Sequence, residues 1–217
     1  MKDEYTKKLE NCLRQMLQPI KGIPFSLVIE SLSGWQVVPF DNEDVRDKKV
    51  LQILSEVANI AGNATNQFGI LRPRPNEVGN DIEIYVKNAL NFKGYTANTP
   101  KSKSGKTAGY PDIEFRDEFG RINYLECKTF NIANISTTQR SFFLSPSEDF
   151  KITTNAHHFI ISYEVYVEGR SENNNIYKCK SWKILSIENL DVDVKYEFNS
   201  DNARLYTEEM ILAEGNL

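Results

Sequence analysis

The chain is poor in the residues that build thiolate, disulfide and zinc chemistry. It has three cysteines and two histidines in 217 residues. Cys12, Cys127 and Cys179 lie far apart and form no CxxC pair, which excludes a disulfide framework and fits reduced thiols in a cytoplasm. The histidines are adjacent, His157 and His158, at the opening of an apolar stretch. Neighbours on a strand face opposite ways, so they cannot chelate one ion together, and a zinc site is excluded. No apolar run approaches the roughly 18 residues of a membrane span, and mean hydropathy is -0.47. Residues 1–10 have no apolar h-region, so no secretory signal is expected. No linker rich in Pro, Gly or Ser and no internal repeat divides the chain. At 40% hydrophobic it can build a core, which excludes a disordered polymer. The expectation is one domain over 1–217.

Charge is more informative in its distribution than in its sum. The net value is -4, unlike a protein that coats DNA by charge alone. Yet Ile84 to Tyr110 holds Lys87, Lys93, Lys101, Lys103 and Lys106 and no acid, and Cys127 to Ser147 holds Lys128 and Arg140 and no acid. The segment from Glu188 to Glu209 is acidic. A basic middle between acidic ends would focus a polyanion into one groove.

Apolar spacing predicts a helix over Tyr5 to Leu17, stopped by Pro19. Phe25 to Phe40 reads as two short strands around a Ser33-Gly34 turn. Asn42 to Ile60 reads as a helix capped by Asp41 or Asn42 and ended by Gly62. Pro75 to Leu90 reads as a third helix, with Asn76 as its N-cap and Gly94 closing it. Thr96 to Gly109 is a polar loop. Beyond it the period changes to two, and strands are expected at Asp112–Phe115 and Asn123–Lys128 around a tight charged turn. Two further strands, His158–Val167 and Ile176–Ile187, follow, and a last helix is expected over Asn199 to Leu212. This order predicts an α/β (α+β) domain with one central mixed β-sheet flanked by helices.

The chemistry concentrates in GYPDIEFRDEFGRINYLECKTF, residues 109–130. Asp112 and Glu114 share one face of the first strand, and Ile113 and Phe115 the other. Tyr124, Glu126 and Lys128 share one face of the second, and Leu125 and Cys127 the other. Once the strands pair, the apolar faces turn to the core, and Asp112, Glu126 and Lys128 converge in one cleft. Two carboxylates at such range repel unless a cation intervenes. A hard divalent ion such as Mg²⁺ answers that, with carboxylate oxygens and retained waters as ligands. A lysine beside it can orient the attacking water and stabilise negative charge growing on phosphorus.

Pro111-Asp112, thirteen residues, then Glu126-Cys127-Lys128 resembles the PD-(D/E)xK motif of the restriction-endonuclease-like nucleases. Residues 137–164 resemble the second half of small type II restriction endonucleases. The likeness covers about residues 75–165. It implies a restriction-endonuclease-like core at 75–187, with residues 1–70 as a helical and hairpin part. It further implies that Asp112 and Glu126 are metal ligands, Lys128 is the catalytic lysine, and an acid on the preceding helix completes the site. That acid is Glu83 or Glu77, with Glu83, beside Ile82, preferred. The implied reaction is Mg²⁺-dependent, sequence-specific hydrolysis of double-stranded DNA leaving 5′-phosphates. The implied partners are a second copy of the chain and a companion DNA methyltransferase. The helices Tyr5–Leu17 and Asn42–Ile60 are candidates for the dimer contact. Two alternatives stay open: a repair or structure-specific nuclease on the same core, and a non-cleaving DNA-binding protein.

The weaker signals lie around this centre. Ser104-Gly105-Lys106-Thr107 ends like a phosphate-binding P-loop, but position 100, where its first glycine belongs, is proline, and nucleotide binding is rejected. Lys101, Lys103 and Lys106 are instead candidates for DNA phosphate contacts. Gln139 and Arg140 suit adenine and guanine edges in the major groove, and one histidine remains a candidate for a base or phosphate contact. Trp35 and Trp182 read as core or interface aromatics.

Overall fold

The computed structural model describes residues 3–16, 18, 20–137, 141–145, 149–195, 201–205, 207, 210, 211 and 213. The chain forms two compact units, one of Met1–Ile23 with Asp191–Leu217, the other of Pro24–Leu190. Helix α1 (Glu4–Met16) and the four-residue helix α5 (Asn202–Leu205) belong to the first. The two-residue strands β1 (Ile23–Pro24) and β8 (Asp191–Val192) pair in a small sheet. Residues 199, 200, 206, 208, 209 and 212 of the expected last helix lie outside the described residues.

The larger unit is built on a six-stranded sheet. Its strands are β2 (Ile70–Arg72), β3 (Ala97–Asn98), β4 (Ile113–Arg116), β5 (Ile122–Phe130), β6 (His157–Ser171) and β7 (Asn174–Ser186). They lie in the order β2-β7-β6-β5-β4-β3. The β5–β6 pair is parallel and every other pair antiparallel. The sheet is mixed and flanked by helices, as the sequence leads one to expect.

One face of the sheet packs on α3 (Val45–Phe68) and α4 (Val78–Phe92). Val50, Leu54, Val57 and Ala58 of α3 and Ile82, Val86 and Leu90 of α4 meet Ile113, Phe115, Leu125, Phe159 and Ile161 there. The apolar stripe of α3 is thus spent on the core of its own chain. The opposite face is closed near the start of β5 and β6 by Phe25, which meets Tyr110, Phe142 and His158 edge-on.

Several expectations are corrected. Phe25 to Ser33 is a helix, α2, not a strand. Phe25 and Ile29, four apart, are fully buried, and Gly34, in the left-handed region, closes the helix with its N–H on the Glu30 carbonyl. Of the second expected strand only a single bridge remains, between Val37 and Ala156. Helix α3 starts later, capped by the Asp44 carboxylate on the Arg46 N–H, and runs through Gly62 to Phe68. Gly62 serves packing rather than termination, since a Cβ there would meet the Tyr163 ring at 3.2 Å. Asn76 lies inside a 3₁₀ turn, Pro75–Glu77, and α4 begins after it. Trp35, read as a core or interface aromatic, is 40% exposed and lies outside the core.

Candidate active site

The hairpin β4–β5 sets the geometry. Ile113 pairs with Leu125 and Phe115 with Asn123. Asp112, one residue before Ile113, therefore lies opposite Glu126, and the predicted alternation holds, with Ile113 and Leu125 wholly buried. Parallel pairing continues the face of Glu126 and Lys128 onto β6, because Tyr124 neighbours His158, Glu126 neighbours Ile160 and Lys128 neighbours Ser162.

Each member has a defined partner. Asp112 Oδ2 accepts the Cys127 N–H at 2.8 Å. Lys128 Nζ donates to Glu126 Oε1 at 2.6 Å. Glu126 is 5% exposed, and its Oε2 is buried without a hydrogen-bond partner. Burial, and then the Asp112 charge, push the Glu126 carboxyl up to about 7, against the pull of Lys128. Asp112 is raised as well, mainly by burial, with the Cys127 N–H and Lys128 opposing. An acid pair raised in this way, with one oxygen left over, is a site that lacks positive charge.

Glu83 reaches Asp112 through its field, which raises the Asp112 carboxyl. Its own Oε1 accepts from Lys87 Nζ at 2.9 Å, and that ammonium also donates to Thr99 Oγ1 at 2.6 Å. Glu77 lies in the turn before α4, in the field of Arg72. Among the described residues no three His, Cys, Asp or Glu side chains gather at ligand distance. The structure therefore brings Asp112, Glu126 and Lys128 together and holds Glu83 nearby, on Lys87.

Lys101, Lys103 and Lys106 are exposed. The loop that carries them is anchored from behind. Asp149 accepts from the Ser102 hydroxyl at 2.6 Å, the Ser104 N–H at 3.2 Å and the Ser104 hydroxyl. Gln139 and Arg140 lie outside the described residues. Both histidines are buried and engaged within the protein, which corrects the expectation of a base or phosphate contact. His157 Nδ1 meets the Val38 carbonyl at 3.0 Å, and Nε2 lies 3.2 Å from Asp47 Oδ1. His158 Nδ1 meets the Tyr110 hydroxyl at 2.7 Å. Burial pushes His158 down to about 3, so the ring is neutral.

Sequence reasoning missed Lys151. It is 4% exposed and donates to the carbonyls of Thr107, at 2.9 Å, and Pro111. The only hint is a lysine between two apolar residues, Phe150 and Ile152. It missed too the polar hub in which Arg121 binds Asp47 at 2.6 Å and Asp117 at 2.8 Å, behind the β4–β5 turn.

The profile of the type II restriction enzyme MjaV family matches residues 19–209. The chain belongs to that family. The type II restriction enzyme MjaV of Methanocaldococcus jannaschii is 39% identical over 230 residues, covering 98% of this chain and 97% of that one. A crystal structure of tetrameric restriction endonuclease SfiI bound to cognate DNA matches 64% of this chain and 62% of that chain, at 12% identity and a TM-score of 0.39. As a member of the MjaV family the chain is a type II restriction endonuclease, a site-specific endodeoxyribonuclease that acts on DNA. Enzymes of this type generally use a divalent metal, and a site with two acids and a spare buried oxygen fits a hard cation. No helix among the described residues is long and apolar enough to cross a membrane.

Proposed function

We propose that this endonuclease hydrolyses both strands of a short double-stranded DNA site with Mg²⁺, held by Asp112 and Glu126, and leaves 5′-phosphates. The observation that carries the reading is the pairing of Asp112 against Glu126 on adjacent strands, with the buried Glu126 Oε2 unsatisfied and Lys128 on the same face. When bound, Mg²⁺ would supply Lewis-acid polarisation of a phosphoryl oxygen and strengthen a neighbouring water as a nucleophile.

The protein does the rest. The Cys127 N–H fixes Asp112 through Oδ2, which leaves Oδ1 for the metal. Lys128, which donates to Glu126 on the same face, would orient the attacking water. It then stabilises the charge that builds on phosphorus. Water oxygen bonds to phosphorus, the bond to the 3′ oxygen breaks, and the chain ends as a 5′-phosphate and a 3′-hydroxyl. Glu83 supports the site from α4, and Lys101, Lys103 and Lys106 contact DNA phosphates. Gln139 and Arg140 are assigned to base contacts.

A two-fold symmetric target is most simply met by two copies of the chain, one site per strand. Residues 75–187 are the catalytic core and 1–70 contribute to dimer contact. A methyltransferase of the same specificity protects the host, and the enzyme works in the cytoplasm.

Plasmid and phage DNA with Mg²⁺ or EDTA, beside Asp112→Ala and Lys128→Ala, test the reading. The expected result is discrete fragments that need Mg²⁺ and disappear in both variants, a rate loss of about a thousandfold or more. Fragments unchanged by either substitution would remove these residues from the chemistry. Sedimentation of the protein with and without DNA checks the dimer, and a monomer in both states would refute it.

A further inference from the structure

Lys151 is a buried titratable group that the chemistry above leaves unused. A lysine 4% exposed is costly unless its ammonium finds acceptors and counter-charge. Here it finds both. Its Nζ donates to the carbonyls of Thr107 and Pro111, the two ends of the segment that leads into Asp112. Its field meets Asp112, Glu126 and Glu83, the three acids of the site, with Lys87 opposing. With Lys87 and Lys128, three lysines thus face three carboxylates. Two residues earlier in the chain, Asp149 holds Ser102 and Ser104 at the other side of the same loop. The short stretch 149–151 therefore fastens the loop at both ends.

We propose that Lys151 is a positioning residue for the hydrolysis. It holds the backbone just before Asp112 so that this carboxylate stays in register with Glu126, and it never touches DNA. The inference rests on the assignment of Asp112 and Glu126 as ligands. A displacement of about 1 Å in a reacting group costs on the order of 100-fold in rate, and the bonds to Thr107 and Pro111 are what Lys151 contributes against such a displacement. Arginine keeps the charge but cannot place one compact ammonium between two carbonyls, so it restores the site only in part.

The experiment uses the full chain, with plasmid DNA that the wild type cuts. Lys151→Met, Lys151→Arg and Asp112→Asn are compared for thermal unfolding, DNA affinity in EDTA and single-turnover cleavage with Mg²⁺. Amide hydrogen exchange over residues 107–112 is followed in parallel. In folded Lys151→Met, cleavage falls about 100-fold, affinity stays within threefold, and exchange over 107–112 rises while that over Ile122–Phe130 does not. Lys151→Arg falls about tenfold. If Lys151→Met does not fold, Lys151→Arg decides by the same split. Cleavage within threefold of wild type in either folded variant overturns the proposal, as does an equal loss of affinity and rate, which marks a merely structural lysine. Full cleavage by Asp112→Asn overturns the ligand assignment itself, and the role of Lys151 with it.

Discussion

Glu126 is buried beside a second carboxylate, and both circumstances disfavour its charge. Between the ordinary carboxyl value near 4.5 and about 7 the folded metal-free protein binds more protons than the unfolded chain. Stability therefore falls as pH rises through that window. Glu126→Gln removes the effect, and the variant should be more stable than wild type at pH 8 by about 1–3 kcal/mol, with the gap closing at pH 5. Urea unfolding at the two pH values in EDTA measures it, and an equal gap at both would show that Glu126 is not the source. His158 acts in the opposite sense. Its folded value lies below the ordinary 6.5, so its contribution is complete above pH 6.5 and is lost as pH falls toward 3. Tyr110→Phe removes the hydroxyl on its Nδ1 and should cost about 1–3 kcal/mol by leaving a buried ring nitrogen unpaired; an unchanged unfolding midpoint would refute this.

Among the elements, α3 shows how a side chain on a distant strand decides what a glycine does. Gly62→Ala normally favours a helix by up to about 1 kcal/mol. Here the added Cβ meets the Tyr163 ring at 3.2 Å, and Tyr163 is pinned by its hydroxyl on the Ala58 carbonyl at 3.0 Å. The expected net result is a loss of about 1–3 kcal/mol, visible as a lower thermal midpoint. A raised midpoint would mean that the ring gives way. That contact explains why Gly62 looks like a helix end in sequence. The β4–β5 hairpin was legible because Ile113, Phe115, Leu125 and Cys127 alternate with polar residues about a charged turn. The segment from Phe25 was not, because FSLVIESL satisfies both periods, and the choice fell to the burial of Phe25 and Ile29. Asp112, Glu126 and Lys128 could be read from strand parity alone. Lys151 could not, since its acceptors sit about forty residues away on a loop whose path no local pattern fixes.

The whole molecule carries a net charge of -4 and yet acts on a polyanion. Local placement has to prevail over the sum, and the exposed Lys101, Lys103 and Lys106 are the phosphate contacts proposed above. Replacing all three by alanine should flatten the plot of log affinity against log salt by roughly 2–3 in slope, with the single-turnover rate at saturating DNA little changed. An unaltered slope would place the phosphate contacts elsewhere.

The β4–β5 turn has a consequence for how this chain can change in length. Asp117 holds the turn closed by accepting the N–H groups of Phe119 and Arg121 and the Arg121 guanidinium, and Arg121 is tied in turn to Asp47 on α3. A residue inserted between 117 and 121 breaks this clasp. One inserted within either strand inverts the parity beyond it, turning a carboxylate of the Asp112–Glu126 pair toward the apolar layer and isoleucine or leucine toward the cleft. The hairpin therefore has no slack in either place, and a change of chain length that leaves a working nuclease has to fall outside it.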